Sequence, residues 1–279
     1  MDMKSSLMKV NKPIPSTTVE VRVKRYCEGQ AYDTDGIICT EEPLEITINN
    51  EPYYLTMRLP GQDVALAVGL CFTEGVISRF DDVLSANHCM DSANRVNVYL
   101  NPGSPVGAAT KKNKSRVLYA GCGICGKEQI SDICTALRTS EQTLRVGLSE
   151  ILRMQKTIES QQLVFSATGG TQMAGLFDAE GNLLAFAEDV GRHNALDKAI
   201  GQVLFTGKNE AVKTVILSCR VSYEMIQKAA RLGVEIVAGA SAPTSAAADL
   251  ARELHITLIG FLRDGGANIY TVSERVTID

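Results

Sequence analysis

The sequence predicts a two-part protein: an N-terminal antiparallel α+β domain, then a larger α/β domain with a mostly parallel central sheet and flanking helices. Three observations predict it. The first hundred residues show period-2 apolar alternation interrupted by one helical stripe. Pro102-Gly103-Ser104-Pro105 and Lys111-Lys112-Asn113-Lys114 then read as a solvated linker. Beyond it, short apolar runs alternate with helical spacing in the order β-α-β-α-β, which calls for right-handed crossovers and parallel strands. A chain of 279 residues, 45% apolar and 22% charged, has the mass for about two such units and a sizeable core. The boundaries drawn are a flexible tail over 1–16, an N-terminal domain over 17–113 and an α/β domain over 114–279.

Taken in order, Val19, Val21 and Val23 alternate with charged residues as a half-buried strand does. Leu44, Ile46 and Ile48 repeat the alternation, Asn49-Asn50-Glu51-Pro52 offers a turn, and Leu55, Met57 and Leu59 complete a hairpin. From Asp63 the spacing becomes helical through Val64, Val68, Cys71, Phe72 and Val76. Val96, Val98 and Leu100 suggest one further strand, as do residues 117–120. The apolar runs at 163–167 and 173–186 read as strands, the second folded at Asp178-Ala179-Glu180-Gly181. A helix over 193–204 follows. Val215-Ile216-Leu217 is a buried strand, Met225 to Ala230 a helix stopped at Gly233, and 234–239, 245–254 and 256–261 are strand, helix and strand.

The net charge of −4, from 28 Lys and Arg against 32 Asp and Glu, argues against nucleic acid or an anionic membrane as the main partner. No apolar run approaches the length of a membrane span, and the first residues lack an export signal, so a cytoplasmic location is expected. Eight cysteines in such a chain are expected to be free thiols, most of them packed as small hydrophobes.

Cys122 and Cys125 are the exception. They stand in Gly121-Cys122-Gly123-Ile124-Cys125-Gly126, between a predicted strand and a predicted helix. Helix dipole and free backbone N–H groups there stabilise a thiolate. A zinc site would want a second Cys or His pair, and a zinc deaminase would want H-x-E; the segments at His88, His193 and His255 offer neither. A thioredoxin-like dithiol, a persulfide carrier and a pair of inert buried thiols all remain open.

In an open α/β sheet, ligands gather outside the carboxyl ends of the strands. Those ends carry Ser218-Cys219-Arg220, Gly239 to Ser245 and Gly260 to Gly266, and the loop Glu188 to Asn194 opens a helix beside them. Arg192, His193, Arg220 and Arg263, with hydroxyls and helix N-termini, suit phosphate groups. Taken singly, each has a plainer role: Thr244 or Ser245 as a helix cap, the arginines paired with Asp189 or Asp264. Thr168-Gly169-Gly170-Thr171 is as well explained by a turn as by an anion cradle. His88 and His255 read as structural.

GCGICG, EDVGRHNALDKAIG, SYEMIQKAARLG, SAPTSAAADLA and IGFLR together resemble the FdhD family, the formate dehydrogenase accessory sulfurtransferases, from about residue 18 to the end. The resemblance implies a main domain similar to the cytidine-deaminase fold without its zinc. It implies a sulfurtransferase that takes persulfide sulfur from a cysteine desulfurase onto Cys122, with Cys125 as its partner. The sulfur would pass to the molybdenum bis(molybdopterin guanine dinucleotide) cofactor destined for the formate dehydrogenase catalytic subunit. The cofactor-binding segment, which would hold the guanine dinucleotide part, maps onto Phe261, Leu262, Arg263, Asp264, Gly265 and Gly266. A homodimer is a further implication. The sequence departs from the family pattern at Gln172, where His is common, at Cys219, where Gly is common, and at Gly266, where Arg is common; the last leaves more of the phosphate grip to Arg263. Two other readings of the same residues are a molybdenum-cofactor-binding chaperone without sulfur transfer and a C-x-x-C disulfide oxidoreductase.

Overall fold

The structure, a computed structural model, describes residues 17–102, 118–119, 137, 139–263 and 265–278. It opens with an antiparallel ribbon of β1 (Thr18–Cys27) and β2 (Gln30–Cys39), turned at Glu28-Gly29 with both residues at positive φ. β3 (Glu42–Ile48) and β4 (Glu51–Arg58) form the expected hairpin. Asn49 and Asn50 sit at φ 51° and 70°, the left-handed pair that a tight hairpin turn requires and that Asn tolerates. After β4 come α1 (Asp63–Thr73), β5 (Val83–Cys89), β6 (Ser92–Leu100) and β7 (Leu118–Tyr119).

The five-stranded sheet runs β5-β6-β3-β4-β7, and it is not antiparallel throughout. The β3–β4 and β5–β6 pairs are antiparallel, whereas β3–β6 and β4–β7 are parallel. Apolar alternation reports which face is buried and carries no information on strand direction, which the connections set.

The remaining elements are β8 (Val146–Gly147), α2 (Leu148–Glu159), α3 (Leu163–Thr168), β9 (Gln172–Phe177), β10 (Leu183–Asp189), α4 (Arg192–Phe205), β11 (Thr214–Leu217), α5 (Tyr223–Ala230), β12 (Ile236–Gly239), α6 (Ser245–Glu253), β13 (Thr257–Arg263), β14 (Gly266–Ile269) and β15 (Val276–Thr277), which pairs with β8. Six strands form a sheet in the order β10-β9-β11-β12-β13-β14. Only β11–β12 and β12–β13 are parallel, so the sheet is mixed rather than mostly parallel. Hairpins join β9 to β10 and β13 to β14, and a tight turn can only reverse the chain. The run at 163–167 is a helix, not a strand. Two N–H groups of its first turn, those of Val164 and Phe165, donate to the Glu188 carboxylate at 3.1 and 2.8 Å. A distant carboxylate thus caps the helix, which no local pattern announces.

Residues alternate across this sheet. Val215, Leu217, Val237 and Leu258 join α1, α4, α5 and α6 in the larger core, while Ile216, Ile236 and Ile259 join α2 in the smaller one. The larger cluster also takes Leu44, Ile46, Val96 and Val98 from the five-stranded sheet. Where α1 crosses α4 the backbones nearly touch. A methyl at Gly69 would lie 1.9 Å from the Asp197 carbonyl oxygen, and one at Gly201 2.0 Å from that of Ala65. No helix of the described residues is long and apolar enough to cross a membrane.

Candidate functional site

Strand register gathers the predicted loops. Leu217 lies beside Gly239 and Ala174, Ala238 beside Ile259, and Gln172 beside Asp189. Because β9 runs antiparallel to β11, its first residue stands at the carboxyl end of β11. Gln172, Ser218 to Arg220, Ala240 to Thr244, Gly260 to Arg263 and the Arg192-His193 turn therefore share one edge of the sheet.

The helix start Glu188 to Lys198 divides its work. Asp189 is fully buried and accepts from the N–H groups of Leu59 (3.2 Å) and Gly191 (2.9 Å), with Lys198 Nζ 2.7 Å away. The alternative pairing of Arg192 with Asp189 is not the one adopted: Lys198 takes that carboxylate. Asn194 Nδ2 donates to the Met57 carbonyl (2.8 Å) and to Asp189 Oδ1 (3.1 Å). These three side chains fix the end of β4 onto α4. Arg192 and His193 lie on the sheet edge instead. Arg192 Nε is buried and has no hydrogen-bond partner among the described residues. His193 Nε2 lies 2.7 Å from Glu224 Oε2, at the start of α5, without the alignment of a hydrogen bond. Ser222, the residue before α5, likewise has its hydroxyl buried without a partner among the described residues.

On the next loop, Ser218 Oγ donates to Gln172 Oε1 (3.1 Å) and accepts from the Met173 N–H (2.9 Å). Cys219 is buried, and burial pushes its thiol up to about 11 against the pull of Arg192 and Arg220. It is a thiol at neutral pH. Arg220 is exposed. Thr244 takes the capping role, accepting from the Ala247 N–H at 3.3 Å.

At the tip of β13, Phe261 holds φ 52°, a left-handed conformation that is costly for a bulky side chain. Its N–H donates to the Ser241 carbonyl at 3.2 Å, and the Arg263 guanidinium lies 5.8 Å from its ring centre. Leu262 is fully buried, so its side chain belongs to the core and only its backbone borders the edge. Gly265 sits at φ 78° in the turn, and Gly266 pairs with Arg263. Cys122, Cys125 and Asp264 lie outside the described residues. The glycine pair at 169–170 ends α3, His88 lies 3.8 Å from Asp63, and His255 offers its carbonyl to Ser140 and Arg275. Among the described residues no three His, Cys, Asp or Glu side chains converge as a metal ion would require.

The description of the FdhD/NarQ family matches residues 39–277. The chain belongs to the FdhD/NarQ family. It is 38% identical over 267 residues to the sulfur carrier protein FdhD of Streptomyces avermitilis, covering 92% of this chain and 95% of that one. It is 36% identical over 265 residues to the protein of the same name from Saccharolobus solfataricus, covering 92% and 99%. In fold it is similar to the crystal structure of a candidate formate dehydrogenase accessory protein from Desulfotalea psychrophila, with a TM-score of 0.78, 21% identity and coverage of 94% and 100%.

For this FdhD/NarQ member, sequence reasoning found the loops of the edge but not what organises them. Ser222 and Glu224 open the helix in SYEMIQKAARLG, where a carboxylate in the first helical turn is the signal the sequence offers. Asp189, Asn194 and Lys198 carried no local sign that they hold β4.

Proposed function

We propose that this chain is a sulfurtransferase that carries persulfide sulfur from a cysteine desulfurase to the molybdenum bis(molybdopterin guanine dinucleotide) cofactor of formate dehydrogenase. The relatives from Streptomyces avermitilis and Saccharolobus solfataricus are sulfur carrier proteins, which supports the first half of the reading. The observation that carries the second half is the shared edge. Arg192, whose buried Nε has no partner among the described residues, Arg220 and the Phe261–Arg263 tip offer guanidinium groups and an aromatic face, the chemistry that guanine dinucleotide phosphates and base call for.

In this reading the Cys122 thiolate attacks the terminal sulfur of the desulfurase persulfide. A new S–S bond forms on Cys122, and the desulfurase thiolate leaves. Attack by Cys125 on the inner sulfur then forms a Cys122–Cys125 disulfide and expels the outer sulfur as hydrosulfide for the metal centre. Both electrons leave with that sulfur, and a cellular thiol must reduce the disulfide before the next cycle. The molybdenum cofactor is the substrate, and Arg192, His193 and Arg220 act as its phosphate clamp. Cytoplasmic work as a homodimer completes the proposal.

The test is activation of a co-expressed formate dehydrogenase in cells lacking their own carrier. Cys122→Ala should abolish activation while leaving GDP binding intact. Full activation by the Cys122/Cys125 double variant would replace this reading with a cofactor chaperone that moves no sulfur.

A further inference from the structure

Gln172 differs from an ordinary surface amide because its orientation is set. It opens β9 on the sheet edge and is half-buried. Its Oε1 accepts from the Ser218 hydroxyl at 3.1 Å, and that hydroxyl in turn accepts from the Met173 N–H at 2.9 Å. The Ser218 N–H donates to the Met173 carbonyl at 3.2 Å, so the serine is held at both its backbone and its side chain. A serine hydroxyl has one proton to give, and Gln172 Oε1 receives it. The carboxamide is thereby fixed with its oxygen towards Ser218. Its Nε2 carries two N–H groups and donates to no acceptor among the described residues.

Two routes lead from Gln172 to Arg192. Across the β9–β10 ladder Gln172 faces Asp189, whose Oδ1 accepts from the N–H of Gly191, the residue before Arg192. Through Ser218 the chain passes to Cys219, whose thiol feels the Arg192 charge. Arg192 Nε is likewise buried without a partner among the described residues. The carboxylates beside them are engaged elsewhere. Asp189 holds Lys198, and Glu188 accepts from the Val164 and Phe165 N–H groups and the Thr171 hydroxyl. This end of the edge thus offers donors and a positive charge, which suits an oxyanion.

We infer that Gln172 is a further ligand-binding residue: its Nε2, aimed by Ser218, donates to a phosphate oxygen of the diphosphate that Arg192 holds. This rests on the function proposed above, and it fixes which end of the edge the diphosphate occupies. In the sheet order, β9 and β13 are three strand spacings apart, about 14 Å. A donor at Gln172 therefore meets the phosphates and not a base stacked on Phe261.

The experiment titrates the whole chain with GDP, and with guanosine in competition, comparing wild type with Gln172→Ala, Gln172→Glu and Ser218→Ala. Gln172→Ala should weaken GDP binding about tenfold and leave guanosine within about twofold. Gln172→Glu keeps an acceptor for Ser218 but sets a carboxylate against the phosphate, so its loss for GDP should be larger. Ser218→Ala frees the amide to turn and should weaken GDP about threefold. If the Ala variant of Gln172 does not fold, the Glu variant is read in its place. Wild-type GDP affinity in a folded Gln172 variant, or in Ser218→Ala, overturns the inference and leaves the proposed function standing. So does an equal loss for GDP and guanosine, which marks a general defect or a contact with the base. A wild-type protein that binds no GDP overturns the acceptor half of the proposed function, and the role of Gln172 with it.

Discussion

Asp189 and Lys198 form a buried ion pair, Nζ to Oδ2 at 2.7 Å, with neither side chain more than 1% exposed. The Lys198 ammonium also donates to the Leu59 carbonyl, so the pair joins the six-stranded sheet to the end of β4. Replacing Lys198 with Met keeps the volume and leaves the Asp189 carboxylate buried without its cation. The expected cost is about 3–5 kcal/mol of unfolding free energy, measured by urea denaturation. A loss below about 1 kcal/mol would mean that Asp189 readily finds another partner.

Arg192 has the opposite character, because its buried Nε has no protein partner among the described residues. Arg192→Met should therefore leave thermal stability within a few degrees of wild type. GDP affinity, measured by titration calorimetry, should fall about tenfold, equivalent to about 1.4 kcal/mol. Sulfur loading of Cys122 should be unaffected.

Cys219 should behave as a reluctant nucleophile. Burial raises its thiol from the ordinary 9.0 to about 11. Alkylation followed by peptide mass spectrometry should show Cys219 at pH 8 reacting about a hundredfold more slowly than an unperturbed thiol, with a midpoint near the raised value. The linked stability has a definite sign. A folded-state pKa above the unfolded one favours the protonated native state, so the contribution is complete below pH 9.0 and disappears as pH rises through about 11. Rapid alkylation of Cys219 at pH 7 would contradict the burial argument.

The α1–α4 crossing depends on Gly69. A side chain there meets the Asp197 backbone oxygen rather than a flexible side chain, so relief requires the helices to separate. Gly69→Ala should destabilise by about 1–3 kcal/mol or more despite alanine's better helix propensity, read by urea denaturation. Stabilisation would show that the two helices can move apart freely.

Much of this was legible in the sequence where a single element carries its own signal. The β3–β4 hairpin, α1, α4 and the central β11–α5–β12–α6–β13 series follow from apolar period and turn residues. Direction was not legible: Val96 and Val98 announce a buried face, but their parallel alignment beside Ile46 and Ile48 depends on how α1 and β5 return the chain. The 163–167 run carries no local helix signal, because its helix is capped by Glu188, more than twenty residues away. At the site, the arginines and glycines of the loops were visible as residue types. The His193–Glu224 pair and the Asn194–Met57 strut join segments far apart in sequence, and only tertiary packing brings them together.

The most direct test of the central claim is intact mass spectrometry after incubation with a cysteine desulfurase and cysteine. The account predicts a gain of one sulfur atom, about 32 Da, mapped to Cys122 and removed by mild reduction. With the desulfurase shown to be active, the absence of added sulfur on Cys122 and Cys125 would contradict the carrier function.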